Sequence, residues 1–106
     1  MIVAFDDKPP TLRCRGDEDR NTQSVRRPAL ARAIRAQADV IIDLTELVFA
    51  DASLMLDLAV LARRLRAHGR AIRVRGAQPQ ISTLIDMFGL GRLPGVQIEG
   101  SASAFA

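Results

Sequence analysis

Along the chain, short runs with a polar-apolar period of two give way repeatedly to stretches whose apolar residues lie three and four apart. Ile2 to Phe5 is a brief apolar run, and Asp6-Asp7-Lys8-Pro9-Pro10 reads as a turn, because a Pro-Pro pair can continue neither flanking strand. Thr11 to Arg15 alternates as a half-buried strand does, and Gly16 is expected to end it. A helical pattern follows from about Thr22–Val25 to Ala38, with Leu30 and Ile34 one turn apart and Arg32 and Arg35 opposite. With Ser24 as N-cap, Pro28 falls at the edge of the first turn, where its missing N–H costs little; an earlier start predicts a kink.

Val40 to Leu44 is nearly unbroken aliphatic sequence and reads as a central strand buried on both faces. Asp51-Ala52-Ser53 then offers caps to a long helix ending near His68, with Gly69 just past its end. Leu54, Leu58, Leu61 and Leu65 share one face of it, Arg63 and Arg66 point away, and Leu56 and Val60 lie opposite the apolar stripe. Ala71 to Arg75 alternates again, with Arg73 and Arg75 on one side. Pro79 opens a last helix whose inward stripe is Ile81, Leu84, Ile85 and Phe88, closed by Gly89. Val96 to Ile98 is a short final strand, and Gly100 to Ala106 a loose tail. The order β, β, α, β, α, β, α, β predicts an α/β fold: one domain over 1–106, core at about 11–98, a mixed sheet with helices packed mainly on one face.

Composition narrows the chemistry. With 106 residues there is no room for an enzyme built on a cleft between two lobes, and 48% apolar with 25% charged residues is globular composition. No Trp or Tyr and only four Phe leave an aliphatic core and few rings on which a base or sugar could stack. One cysteine, Cys14, and one histidine, His68, exclude disulfide scaffolds and Cys/His metal modules, so neither metal nor cofactor is expected. The first residues do not form a signal peptide and no run is long enough to span a bilayer, which points to a cytoplasmic protein without membrane insertion. The net charge of +3 comes from 15 cations, 14 of them arginine.

Three places carry more than folding requires. Gly16-Asp17-Glu18-Asp19-Arg20-Asn21 is an acidic loop, for which a solvated turn complementing a helix dipole is the simpler account. Asp43 sits within an apolar run; with one histidine in the chain no catalytic partner is evident, and a hydrogen bond to a neighbouring loop explains it. Asp51-Ala52-Ser53 is either a plain helix cap or a helix end that faces a partner.

In order and spacing, Gly16-Asp17-Glu18-Asp19, Val40-Ile41-Ile42-Asp43-Leu44, Phe49-Ala50-Asp51, Asp51-Ala52-Ser53, Gly69 before a strand, and Phe88-Gly89-Leu90 resemble the STAS domain of bacterial anti-sigma factor antagonists. The resemblance covers about residues 11–98. Members usually read Gly-Glu-(Leu or Ile)-Asp at the first motif; here Glu18 stands at the aliphatic position. Their signature continues from Asp to a Ser or Thr that a partner kinase phosphorylates, then Ser or Ala, Gly, Leu, Gly. In this chain the acceptor position is Ala52, and Leu54 and Leu56 replace both glycines. No phosphorylation is therefore expected there, and Ser53 is expected to serve as a cap or turn inward. The resemblance implies a non-enzymatic regulator of transcription whose partner-binding residues are Asp17, Asp19, Asn21, Asp51, Ala52, Ser53, Met55, Leu56 and Val60. The implied partner is an anti-sigma factor of serine-kinase fold, with a homodimer as an alternative cover for Leu56 and Val60. Small STAS proteins also resemble accessory subunits of ABC-type lipid transporters.

Nucleic-acid binding is the competing class, since Arg13, Arg15, Arg73 and Arg75 are placed to line one sheet surface. Twelve interspersed acids, scarce aromatics and the lack of a recognition motif argue against it. For an enzyme, nothing brings His68 and Cys14 to a common third group, and no catalytic residue is assigned.

Overall fold

A computed structural model describes residues 2–99, so the tail at 100–106 lies outside the described residues. One five-stranded sheet runs in the order β1-β2-β3-β4-β5. The strands are β1 (Ile2–Asp7), β2 (Pro10–Glu18), β3 (Val40–Ala50), β4 (Ile72–Arg75) and β5 (Val96–Ile98). β1 is antiparallel to β2, and every later pairing is parallel. The crossovers are α1 (Gln23–Ile34), α2 (Ala52–Arg66) and α3 (Pro79–Phe88), with 3₁₀ turns at Arg20–Thr22 and Leu90–Arg92. The helices pack on one face of the sheet, as right-handed parallel crossovers place them.

Leu12, Cys14, Val40, Ile42, Leu44, Ile72 and Val74 point into the buried face. They meet Leu54, Leu58, Leu61 and Leu65 of α2 and Ile81 and Ile85 of α3, as the helical periods require. Gly89, with φ +82°, closes α3 in the left-handed conformation that a side chain disfavours.

Several boundaries differ from the sequence reading. The first turn is tighter, because Asp7 already pairs with Pro10 and only Lys8 and Pro9 lie outside the ladder. Proline is tolerated there as the first residue of a strand. Gly16 does not end β2; the strand continues to Glu18 through a register shift, so half of the expected acidic loop is strand.

β3 is central but not buried on both faces. Ile41 and Asp43 are half-buried on the open side, and beyond Leu44 the inward positions become Leu47 and Ala50. Two irregularities in the β2–β3 ladder cause this slip, and they turn Val48 and Phe49 outward together.

α1 ends at Ile34 rather than Ala38, and its cap is not Ser24. Asp19 and Thr22 form a capping box on the preceding 3₁₀ turn, which starts the helix early and places Pro28 inside it. Pro28 is exposed there, so the carbonyl of Ser24 that it leaves without a donor faces the solvent side. The inward stripe of α1 is Arg26, Ala29 and Ala33, with Leu30 and Ile34 only half-buried beside it.

The open sheet face carries Arg13, Arg15, Arg73 and Arg75 together, and carboxylates from neighbouring strands answer them. Arg13 lies 3.6 Å from Asp43, Arg15 3.1 Å from Glu46, and Arg73 and Arg75 2.6 and 3.0 Å from Glu99. These three carboxylates offset most of the positive charge of the four arginines on this face.

Candidate functional site

Two chain turns lie side by side at the carboxyl ends of β2 and β3, and the residues singled out from the sequence gather there. Asp51 leaves β3 with extended φ and ψ and caps α2 by accepting the Ser53 amide at 2.8 Å. Its carboxylate also accepts the Ser53 hydroxyl and, at 3.1 Å, the Arg20 amide of the neighbouring turn. The Asp51 amide donates to the Glu18 carbonyl at 3.2 Å. One aspartate thus fastens the β2–α1 turn to the start of α2. The Ser53 hydroxyl bond, with the Ser53 and Arg20 amides and Arg26 behind it, holds its carboxyl below the usual carboxylate range against the opposing pull of burial.

On the adjacent turn Asp19 accepts the Asn21 amide at 2.9 Å, and its own amide donates to the Thr22 hydroxyl at 3.0 Å. Beneath both turns runs a charged seam that the sequence reading missed. Arg26 is 1% exposed and uses all three guanidinium nitrogens. Its Nε donates to Asp57 at 2.8 Å and its Nη2 to the Ser53 hydroxyl at 3.0 Å. Its Nη1 is within 3.2 Å of Glu18 Oε1, the Asp19 carbonyl and the Thr22 hydroxyl. Glu18, also 1% exposed, accepts the Thr22 hydroxyl at 3.0 Å. The expectation of a solvated acidic loop is therefore corrected at Glu18: it is the buried partner of an arginine.

The signal was present as parity and period. Glu18 continues the even-numbered inward series Leu12, Cys14, Gly16, and Arg26 shares the inward helical stripe with Ala29 and Ala33. A charge at an inward position of each element predicts that the two meet.

Asp17, Asn21, Ala52, Leu56 and Val60 are exposed, while Asp19, Asp51 and Ser53 are half-buried. Met55 is corrected: it is fully buried in the core and is not part of the exposed surface. Met55 and Ala62 lie on the flank of α2 opposite Ser53 and Asp57, which meet Arg26 of α1, and cover on that second flank widens the buried arc beyond the leucine stripe. Asp51 rather than Ser53 is the cap of α2, and the Ser53 hydroxyl donates to Asp51 and accepts from Arg26. Phe49, 51% exposed and opposite Asp17 in the ladder, adds an apolar side chain to the surface that strand alternation did not reveal.

Asp43 faces the open side of the sheet and bonds not to a loop but to the amide and hydroxyl of Thr45, two residues on. Although burial acts to raise it, those bonds and Arg13 and Arg75 bring its carboxyl below the ordinary range. Burial, with Glu18 adding to it, pushes the Cys14 thiol up to about 12, a protonated and unreactive state. Among the described residues no three His, Cys, Asp or Glu side chains are grouped to hold a metal, and no helix is long and apolar enough to cross a membrane.

Known proteins place this geometry. No curated protein sequence matches the chain significantly. In structure it is similar to the unphosphorylated anti-sigma factor antagonist SpoIIAA, with TM-score 0.72 and 19% identity over 98% of this chain and 93% of that one. The phosphorylated form of SpoIIAA, the Bacillus cell fate determinant, matches with TM-score 0.62 and 19% identity, over 98% of this chain and 96% of that one. At this identity the likeness is one of fold. The family model described as "Mlab, STAS domain" matches residues 1–97, reaching through β1 as well as the motifs, and the chain belongs to that STAS-domain family.

Proposed function

We propose that the chain is a constitutive docking module that binds a protein partner through the start of α2 and the turns beside it. The observation that carries this reading is the strip Ala52, Leu56 and Val60. It starts at the Asp51 cap, lies opposite the core stripe and is covered by nothing among the described residues. Phe49, Asp17 and Asn21 extend the same end of the molecule, so an apolar centre has a polar rim, as partner surfaces do.

Ala52 gives a kinase no hydroxyl, and the Ser53 hydroxyl is already committed at both its donor and acceptor sides. Binding is therefore not switched by phosphate at this helix end. The finer reading is a partner of the kind the similar antagonists address, an anti-sigma factor of serine-kinase fold. The family description, Mlab rather than an antagonist, keeps a second reading in view, an accessory subunit of an ABC-type lipid transporter. Affinity purification of the tagged chain from its own cells separates the two by what co-purifies.

Leu56→Asp tests the docking edge. A charge in a desolvated contact should weaken binding of the co-purified partner by more than tenfold while thermal stability changes little, because the residue is 55% exposed. Unchanged binding would move the interface away from α2.

A further inference from the structure

The arginines of this protein fall into groups that differ in one respect. Those on the open sheet face are answered by carboxylates, and Arg26 is answered within the core. Among the described residues Arg63 and Arg66 on the outer flank of α2 pair with no carboxylate, a condition they share with Arg20, Arg27, Arg35, Arg64, Arg70 and Arg92; what sets these two apart is that both border one apolar groove on α2. On a helical wheel Arg63 and Arg66 fall on the same side as Leu56, Ala59 and Val60. Against this side lies the segment leading into β5: a Cβ placed on Gly95 would stand 3.4 Å from the Ala62 carbonyl and from the Arg66 Cβ. Leu93 and Pro94 therefore form a second wall, and the result is an apolar groove of about 360 Å³ with Leu56, Val60 and Leu93 at 55, 40 and 37% exposure.

Resting on the docking reading above, we infer that this groove receives an amphipathic helix of the partner protein, one whose apolar stripe is flanked by carboxylates that meet Arg63 and Arg66. The C-terminal end of a helix favours cations, which accounts for arginines in the last turns of α2. It does not account for two of them bordering an uncovered apolar groove without counter-charges. A second copy fits poorly, because a two-fold axis through the groove would bring Arg63 and Arg66 against the same arginines. A membrane surface fits less well than a helix because the apolar residues line a concavity between two walls. A helix laid along the groove buries anchors spaced three and four residues apart, and the flanking acids select its orientation.

The test uses the full chain and a displayed library of helical 18-residue peptides with a fixed leucine stripe, each flanking position varied between Glu and Lys. Selection should enrich glutamate, and an enriched peptide should shift the NMR signals of Leu56, Val60, Arg63 and Leu93. Arg63→Glu/Arg66→Glu should weaken it at least tenfold, and exchanging the peptide's glutamates for lysine should restore binding to that variant. No enrichment, or enrichment of lysine, overturns the inference. So does perturbation of the same signals by phosphatidylglycerol vesicles but not by peptide, or by raising protein concentration alone. If the co-purified partner is lost on Leu56→Asp yet holds undiminished on Arg63→Glu/Arg66→Glu, the docking reading stands and the groove inference falls. If neither variant weakens it, both fall.

Discussion

Arginine meets carboxylate in two settings in this molecule, under the start of α2 and across the open face of the sheet. Distances are similar: Arg26 lies 2.8 Å from Asp57 and 3.2 Å from Glu18, and Arg15 lies 3.1 Å from Glu46. The surroundings are not. Arg26 and Glu18 are out of water, so each depends on the other for what solvation no longer supplies, whereas Arg15 and Glu46 are half or more exposed and can turn to solvent at little cost. The same pairing therefore specifies how two turns meet in one place and merely balances charge in the other.

The largest effect expected is that of Arg26→Leu, which should cost about 3 to 5 kcal/mol in urea unfolding by stranding Glu18. A loss below about 1 kcal/mol would mean that water reaches the seam and that the two settings do not differ. Leu61→Ala, a purely apolar deletion in the neighbouring helix α2, calibrates the scale at about 2 to 5 kcal/mol. The pair Glu18→Leu/Arg26→Leu replaces both buried charges with aliphatic side chains. Its stability should return to within about 2 kcal/mol of the original or exceed it, since a well-packed apolar pair often replaces a buried ion pair without loss. Asp57 and Ser53 would then lose a donor, and reduced order at the Asp51 cap by amide exchange is the expected mark.

Smaller effects belong to groups nearer the surface. Asp43 and Asp51 both have carboxyls held below the ordinary range. A depressed carboxyl contributes its stability above the unfolded value near 4 and loses it as pH falls through the folded value. Stability measured from pH 6 downward should thus hold until about pH 4 and then decline. Asp43→Asn should remove part of that decline, and an unchanged profile would show that its bonds to Thr45 contribute nothing. Smallest of all, Arg15→Ala should change stability by less than about 1 kcal/mol, and 0.5 M salt should reduce even that while leaving the cost of Arg26→Leu intact. A cost for Arg15→Ala equal to that of Arg26→Leu would erase the distinction.

Local pattern determined much of this protein. Period two marked β4, period 3.6 marked the buried stripes of α2 and α3, and the order of elements with the motifs around Asp51 led to the STAS family. These features are legible because each depends only on neighbours within a turn or a strand. Tertiary structure alone decided what depends on two distant segments. The slips in the β2–β3 ladder that expose Phe49 arise from the pairing of two strands, and neither strand's own alternation records them. Met55 is buried because the flank of α2 away from α1 is covered as well, a width of cover that a single helical wheel does not contain. Inward parity hinted at Glu18 and Arg26 separately, but burying two charges is favourable only where their geometry is met, and that geometry exists only once β2, α1 and α2 have packed.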